Sequence, residues 1–347
     1  MPAPGLYAPG LARSTRTVVA ITVALLVAAL TGCNASSSQE AGDAPSSPAA
    51  AGGAFPVTIE HKFGSTTIES QPQRVVTVGF NEQDFVLAFD VVPIGVREFL
   101  GYDAPKRPWA PESVRGKVIP TVGSNELDFE KIASLDPDLI LGINSYIEQA
   151  DYTKLAAIAP TVAQSGAVAD GATTWQDQTL TIGKALGQEA KATELVARTT
   201  KLFEDAKTAN PGFAGKSAAF ALGVSESGVY SLGADDYRTG WLVLLGFSVP
   251  EKGQEVSFEQ LEDVFGKADV IVAEGVDADK LNNPLVRALP QVKEGRLVTL
   301  GAFDQDFAAA LGFNSPLSIP FLLEVAVPRL AAATDGDPAT TPEPYPG

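Results

Sequence analysis

The chain has 347 residues, 45% hydrophobic and 19% charged, with a formal net charge of −17 at pH 7. This length and apolar content favour two packed domains, while the acidity argues against nucleic acid or an anionic membrane surface as a partner. The single Cys and single His exclude disulfide scaffolds, thiolate clusters and multi-His metal sites, so we expect no protein-bound metal and no cofactor.

Residues 1–32 have the pattern of a secretory signal peptide. Two arginines precede an apolar run over 18–30 that is too short to span a bilayer comfortably. The run ends in Leu30-Thr31-Gly32-Cys33, which resembles the lipobox of bacterial lipoproteins, where the Cys is acylated. Several acyl chains on Cys33 would anchor the chain to the outer face of the cell membrane. Residues 33–54 are rich in Ser, Ala, Gly and Pro and predict a flexible tether.

The segment 55–172 alternates predicted strands and helices. A hairpin near residue 60 is followed by a buried strand from Arg74, a helix over 81–89 and further strands near Val91 and Leu139. This alternation predicts a first α/β lobe with a parallel sheet. An irregular loop over 96–112 interrupts it and holds several aromatic and basic residues, which favours a functional loop.

A long helix is predicted between two similar halves of the chain. The stretch 188–210 contains neither Pro nor Gly, and apolar residues recur in it at three- and four-residue spacing. At 1.5 Å per residue it is roughly 33 Å long. We therefore assign 173–210 as linker helices that include one rigid strut between the lobes.

The segment 211–332 repeats the pattern of the first half. In both halves Phe-Glu opens a helix, and an Asp then leads into an apolar strand at Asp138 and Asp269. The predicted fold class is α/β, with two Rossmann-like lobes whose parallel sheets are joined by the single long helix. The polar, Pro-rich segment 333–347 predicts a disordered tail.

A series of short segments resembles the substrate-binding proteins of ABC importers for iron–siderophore complexes, the class with a rigid interdomain helix that also serves ferrichrome, ferric citrate and vitamin B12. These segments are Pro72-Gln-Arg-Val-Val, Val92-Pro-Ile-Gly-Val-Arg, Asp128-Phe-Glu-Lys-Ile with Leu135-Asp-Pro-Asp-Leu-Ile, Asp151-Tyr-Thr-Lys-Leu with Ile158-Ala-Pro-Thr-Val, Trp175-Gln-Asp with Ile182-Gly-Lys-Ala-Leu-Gly, Val256-Ser-Phe-Glu-Gln-Leu with Ala268-Asp-Val-Ile-Val, and Leu311-Gly-Phe-Asn-Ser-Pro-Leu-Ser. The resemblance implies a monomeric, non-enzymatic receptor. It would hold a ferric siderophore between its lobes, with the iron bound by the chelator, and deliver it to an ABC permease and its ATPase.

Glu130 and Glu259 stand at matching points of the two lobes. Asp128 and Ser257 are plausible N-caps before them, so each Glu falls near a helix start, where an acid gains about 0.3–1 kcal/mol from the helix dipole. That structural explanation would suffice for either residue alone. The family resemblance implies instead that the symmetric pair docks onto basic pockets of the permease.

Aromatic rings and arginines are the expected contacts for the organic shell of a ferric chelate, because rings pack on it and guanidinium groups donate to its oxygens. The candidates are Arg97, Tyr102 and Trp109 in the first lobe and Tyr230, Tyr237 and Arg238 in the second, with Tyr146 and Phe303 as weaker candidates. The alternative for each ring is the core, and for each Arg a solvated surface charge or, for Arg238, an ion pair with Asp235 or Asp236. Trp175 and Trp241 are assigned to packing.

His61 is predicted to be structural, which weakens several alternative functions. Receptors for bare zinc or manganese need several His or carboxylate ligands, and a Ser–His–Asp hydrolase would have to use His61 without any Gly-x-Ser-x-Gly motif. Haem and cobalamin stay open as ligands of the same architecture, although haem ligation would depend on Tyr. A cell-surface sensor or interaction lipoprotein without a transport role also stays open.

Overall fold

The structure is a computed structural model that describes residues 55–224, 228–275 and 281–345. The expected signal peptide, the tether and Cys33 lie outside the described residues. In the part of the chain that is described, none of the helices has both the length and the apolar character needed to cross a bilayer.

The first lobe is built on a parallel sheet. Its strands are β1 (Val57–His61), β2 (Gly64–Ile68), β3 (Val75–Thr77), β4 (Gly95–Val96), β5 (Leu139–Gly142) and β6 (Thr161–Ala163). Its helices are α1 (Glu82–Ala88), α2 (Phe129–Ser134) and α3 (Gln149–Ala156). β1 and β2 form the predicted antiparallel hairpin, and the other four strands pair in parallel in the order β4-β3-β5-β6. Helices connect parallel strands because such strands need long crossovers.

His61 is held inside the β1–β2 hairpin. Its Nε2 lies 2.9 Å from Thr66 Oγ1, and its Nδ1 accepts from the Phe63 N–H at 3.2 Å. The Thr66 hydroxyl in turn donates to the Thr161 carbonyl at 2.6 Å, which ties the hairpin to β6. Burial lowers the pKa of His61. These bonds fit the predicted structural role.

Two packed helices lead out of the first lobe, namely α4 (Trp175–Ala185) and α5 (Glu189–Ala209). The 21 residues of α5 give a length of about 31 Å. One face of α5 is buried at Ala192, Leu195, Thr199 and Phe203, the spacing expected of an apolar stripe. The strut predicted over 188–210 therefore agrees with the structure to within one residue at each end.

The second lobe contains a mixed sheet. Its strands are β7 (Ala218–Val224), β8 (Gly228–Leu232), β9 (Gln254–Ser257), β10 (Val270–Glu274) and β11 (Leu297–Thr299). Its helices are α6 (Gly240–Leu245), α7 (Leu261–Val264), α8 (Pro284–Ala288), α9 (Pro290–Lys293), α10 (Asp306–Phe313) and α11 (Ile319–Thr334). The strand order is β11-β10-β7-β8-β9, parallel across the first three and antiparallel at β8 and β9. The parallel sheet expected in the second lobe is present in β11, β10 and β7, and β8 and β9 extend it in antiparallel fashion, because the β7–β8 connection is too short for a crossover.

Residues 335–345, which belong to the predicted tail over 333–347, make contacts with the second lobe. The Arg329 Nε–H donates to the Glu343 carbonyl at 2.9 Å. The Tyr345 ring lies 6.1 Å from the Phe307 ring, and the Arg329 guanidinium lies 5.8 Å from the centre of the Tyr345 ring. Because Tyr345 buries part of its ring on the second lobe, this stretch packs against α10 and α11 despite its Pro content.

Candidate functional site

A cleft with a volume of about 290 Å³ lies between the two lobes. Both lobes contribute aromatic and polar side chains to its walls. The lining residues are Phe80, Phe99, Asn144, Tyr146, Asp170 and Gly171 of the first lobe and Asp235, Asp236, Tyr237, Arg238 and Gly312 of the second.

The first wall is built at the carboxyl ends of two neighbouring parallel strands. Phe80 follows β3 and Asn144 follows β5, and the Phe80 N–H donates to the Asn144 carbonyl at 3.0 Å. The Phe80 ring lies 4.9 Å from the Phe99 ring and 6.0 Å from the Tyr146 ring, measured between centroids. Ligands of open α/β sheets bind at this end of the strands, so the topology itself places an aromatic surface there.

Tyr146 is the most exposed aromatic residue of the first wall, with 51% of its surface accessible. Its backbone has a φ of 55°, in the left-handed region that non-Gly residues rarely adopt. Its hydroxyl lies so close to Gly171 that a Cβ at that position would come within 1.9 Å of the oxygen. Partial burial raises the pKa of Tyr146. A strained backbone at a ligand cleft is typical of functional sites.

The second wall carries a bidentate ion pair. The Arg238 Nε–H and Nη2–H donate to the two carboxylate oxygens of Asp236 at 2.9 and 2.7 Å. Burial lowers the pKa of Arg238, but the Asp236 carboxylate outweighs that effect and the net pKa is raised. The neighbouring Tyr237 hydroxyl donates to the Gly312 carbonyl at 2.8 Å, and burial raises its pKa. The structure thus pairs Arg238 as in the sequence-based alternative and also leaves it in the cleft wall.

Arg97 lies behind the first wall and does not line the cleft. Its guanidinium donates to the carbonyls of Ser124 and Asn125 at 2.6 and 2.9 Å, and to those of Val78 and Ser145 at 3.4 and 3.2 Å. Backbone carbonyls therefore occupy donors on all three guanidinium nitrogens of Arg97, and its predicted contact with the ligand stays a prediction that this placement does not favour. Arg97 instead lies 4.1 Å from the centre of the Phe80 ring, which it supports from behind.

Tyr102 and Trp109 are also withdrawn from the cleft, because both bind the buried carboxylate of Asp84. The Tyr102 hydroxyl donates to Asp84 Oδ1 at 2.7 Å, and the Trp109 Nε1–H donates to Oδ2 at 2.8 Å. The rings pack across the lobe boundary on Phe313 and Phe321, at centroid distances of 3.5 and 5.2 Å. We call these residues, with Asp84, the interlobe clasp. In the structure Tyr102 and Trp109 join the lobes, and their predicted role as ligand contacts stays a prediction that these contacts do not favour.

Two further predicted contacts, Tyr230 and Phe303, lie outside the cleft lining. Tyr230 is 42% exposed on β8, where it pairs in register with Glu255 of β9. Phe303 is 51% exposed and covers Gly275, where a Cβ would come within 2.2 Å of the ring. Of the eight predicted ligand contacts, the structure brings Tyr146, Tyr237 and Arg238 together in the cleft.

Two buried glutamates near the cleft are not predicted from the sequence. Burial raises the pKa of Glu82 to about 7, against hydrogen bonds from backbone N–H groups that lower it. A Cβ at Gly79 would come within 1.7 Å of Glu82 Oε2, so a larger residue there would displace this carboxylate. Burial raises the pKa of Glu274, at the end of β10, to about 8. Neither Glu82 Oε2 nor Glu274 Oε2 has a hydrogen-bond partner among the described residues.

Other lining residues that were not predicted from the sequence include Phe80, Phe99, Asn144 and Asp170. A usable signal existed for Phe80 and Asn144, since each follows a predicted buried strand by two or three residues. Phe99 lies in the irregular loop that the sequence marks as functional. Asp170 belongs to a polar stretch with no distinguishing pattern.

Glu130 and Glu259 are both exposed on the surface of their lobes. Glu130 is the second residue of α2, whose N-cap Asp128 accepts from the Lys131 N–H at 2.9 Å. Glu259 is the second residue of a 3-10 turn that leads into α7, and the Ser257 N–H donates to the Gln260 side chain at 3.2 Å. The predicted similarity of the two helix starts is present, while the docking role stays a prediction. Among the described residues, no group of three or more His, Cys, Asp or Glu side chains could hold a metal ion.

The chain is similar in sequence to known binding proteins. Residues 100–302 match the family described as Periplasmic binding protein. The chain is 31% identical to the Fe(3+)-citrate-binding protein YfmC of Bacillus subtilis over 250 residues, which cover 69% of this chain and 76% of that protein. These matches confirm the family expected from the short segments.

Solved structures give the same result for the fold. A periplasmic solute binding protein from Mycobacterium smegmatis superposes with a TM-score of 0.73 and 34% identity, covering 80% of this chain and 98% of that one. PiaA of Streptococcus pneumoniae in complex with ferrichrome superposes with a TM-score of 0.67 and 27% identity, covering 80% and 98%. The matched proteins are binding proteins and not enzymes, in agreement with the sequence-based expectation.

Proposed function

The chain belongs to the Periplasmic binding protein family, and on that premise we propose that it is a lipid-anchored extracytoplasmic receptor for a ferric siderophore. The receptor binds the chelate in the cleft between its lobes and delivers it to an ABC permease and its ATPase. It acts as a monomer, held at the cell membrane by its lipid alone.

The aromatic cleft is the observation that carries this proposal. Rings from Phe80, Phe99, Tyr146 and Tyr237 face one space between the lobes, which suits the organic shell of a chelate. YfmC is named for binding ferric citrate, and PiaA was solved with ferrichrome. Similarity to both supports a chelated ferric ion as the ligand class.

Quenching of intrinsic fluorescence by a panel of ferric chelates tests the ligand class. We expect saturable quenching by at least one chelate, and the Tyr146→Ala variant should bind it at least about tenfold more weakly because a buried aromatic contact is lost. Tyr230→Ala is the matched control, since it removes an exposed Tyr that lies outside the cleft, and it should bind like the wild type.

Three results would count against this proposal. Binding of haem or cobalamin, with none of the ferric chelates, would change the ligand class while keeping the receptor role. Binding of nothing in the panel would favour a sensor or interaction lipoprotein. Equal losses in Tyr146→Ala and Tyr230→Ala would place the ligand elsewhere.

Membrane attachment rests on Cys33, which lies outside the described residues. We expect Cys33→Ala to leave the chain unprocessed by the lipoprotein pathway or released from the membrane. Mass spectrometry of the mature wild-type protein checks this directly. A soluble mature chain with a free thiol at Cys33 contradicts the proposed anchor.

Permease docking rests on the exposed, symmetric pair Glu130 and Glu259. The double variant Glu130→Ala/Glu259→Ala should abolish uptake of the radiolabelled chelate and leave its dissociation constant unchanged, because both side chains lie outside the cleft. Glu148→Ala/Glu189→Ala removes the same charge from two other exposed helix starts and should transport normally. Loss of ligand affinity in the first double variant would assign these residues to the fold or the site.

A further inference from the structure

The charges of the cleft wall are mostly acidic or paired. The lining contains three carboxylates, those of Asp170, Asp235 and Asp236, and one guanidinium, that of Arg238. Lys62 adds a second cation from outside the lining, with its Nζ 2.6 Å from Asp170 Oδ2. Both cations are therefore already neutralised by a partner within the wall.

One edge of the Arg238 guanidinium is fully used by its ion pair. Nε and Nη2 bind both oxygens of Asp236, which is the bidentate arrangement that Arg favours with carboxylates. The described residues provide no hydrogen-bond partner for Arg238 Nη1. This nitrogen can donate to a ligand oxygen without bringing unbalanced positive charge into the cleft.

The groups of the site that have no described ion-pair partner are acidic or uncharged. Asp235 has no ion pair within the described residues, and its Oδ1 accepts from the Gly253 N–H at 3.0 Å. Glu274 is 3% exposed and lies close enough to Arg238 and Asp236 to interact with both charges. Arg97, the other guanidinium of this region, is occupied by backbone carbonyls. An anionic ligand would thus lose its hydration and meet no free cation in return.

We propose that the cleft is selective for uncharged ferric chelates of the tris-hydroxamate class and disfavours anionic citrate and tris-catecholate chelates. Singly charged hydroxamates balance the ferric ion, whereas citrate or doubly charged catecholates leave a negative complex. The hydroxamate and amide oxygens of such a chelate accept from Arg238 Nη1, and its neutral surface packs on the aromatic walls. This inference rests on the proposed function and departs from the ligand for which YfmC is named.

The test compares ferrichrome, an uncharged tris-hydroxamate chelate, with ferric citrate and an anionic ferric tris-catecholate on the wild-type chain by fluorescence quenching. We expect ferrichrome or another tris-hydroxamate to bind at least about tenfold more tightly than either anion. A negative chelate next to the carboxylates of the cleft should lose affinity by at least that factor. An anionic chelate that binds as tightly as any hydroxamate overturns the inference and leaves the proposed function standing. Failure of every chelate overturns both.

A charge variant tests whether the ion pair sets the selectivity. Asp236→Asn frees the Arg238 charge, so the preference for hydroxamate over citrate should shrink by about tenfold. Asp90→Asn is the matched control, because it frees Lys191, 2.5 Å from Asp90, by the same change away from the cleft. Urea unfolding verifies that both variants fold. An unchanged preference in a folded Asp236→Asn variant overturns this role of the pair, and the wild-type comparison remains decisive if that variant does not fold.

Discussion

Two aromatic clusters lie between the lobes, and they differ in whether their polar atoms are bound. In the interlobe clasp, the Tyr102 hydroxyl and the Trp109 indole nitrogen both donate to Asp84. In the cleft, the Tyr146 hydroxyl has no hydrogen-bond partner among the described residues, and the ring is half exposed. The same residue types therefore join the lobes in one place and face the ligand space in the other.

The difference shows how a buried acid selects a structural role for aromatic residues. Asp84 is 1% exposed, and burial raises its pKa to about 6, although Tyr102 and Trp109 lower it by hydrogen bonding. A buried carboxylate without donors would be costly, so the two rings must stay in place around it. Asp236 and Asp170 lie near Tyr146 in the cleft, but neither is a hydrogen-bond partner of its hydroxyl in the described structure, so the ring stays exposed to the cleft.

Removing the acid should break the clasp most severely. We expect Asp84→Ala to lower the free energy of unfolding by about 3 kcal/mol, because it removes two hydrogen bonds to a charged group and leaves both donors buried. Urea denaturation measures this loss. Asp103→Ala is the control, since Asp103 is the neighbour of Tyr102 and its exposed pair with Lys106 at 2.8 Å should contribute at most about 1 kcal/mol. Equal losses of stability in the two variants would contradict the structural role assigned to the clasp.

The hydroxyl groups of the two clusters can be compared directly. Tyr102→Phe removes one hydrogen bond to Asp84 and should cost about 1.5 kcal/mol of stability. Tyr146→Phe removes a hydroxyl without a partner in the described structure and should change stability by less than about 0.5 kcal/mol. Urea denaturation of both variants under identical conditions decides the point. A larger cost for Tyr146→Phe would reverse the assigned roles.

The buried carboxyls extend the comparison to pH dependence. Asp84 accepts from two side chains and has a pKa of about 6, whereas burial without a partner for Oε2 raises that of Glu274 to about 8. The folded chain then holds the Glu274 proton more tightly than the unfolded chain. Its contribution to stability is full below pH of about 4.5 and is lost as the pH rises through about 8.

Glu274→Gln should therefore flatten this part of the stability profile. Between pH 5 and pH 8 we expect the wild type to lose at least about 1 kcal/mol more than the variant. Urea denaturation at a series of pH values measures the slope. Glu255→Gln is the control, because it changes an exposed Glu of β9. A slope equal to that of the wild type in Glu274→Gln would show that Glu274 does not titrate in this range.

The sequence predicted the elements of this fold better than the contacts of its side chains. The hairpin around His61 and the strut over 188–210 follow from local periodicity, which a single chain displays directly. The clasp does not, because the partner of Tyr102 and Trp109 is an Asp that looks like an ordinary acid in the first turn of α1. Which rings face the cleft depends on contacts between residues far apart in the chain. Local sequence patterns do not predict such contacts.

A small stability change is expected from the backbone of Tyr146. Its φ of 55° costs a Tyr of order 1 kcal/mol, whereas Asn tolerates this region. Tyr146→Asn should relieve strain but lose part of the ring contact with Phe80, so the free energy of unfolding should rise by only about 0.5 kcal/mol. Affinity for the ferric chelate should nevertheless fall at least about tenfold, since the aromatic contact is gone.

Leu100→Asn separates these two effects. Leu100 has a φ of 50° and is 78% exposed outside the cleft lining, so the same replacement should relieve similar strain and leave affinity unchanged. Urea denaturation and fluorescence titration of both variants give the two readouts. If Tyr146→Asn loses stability as well as affinity, the ring is a packing residue like those of the clasp. If it loses affinity alone, the Tyr146 ring serves ligand binding, and the strained backbone is the cost of placing that ring in the cleft.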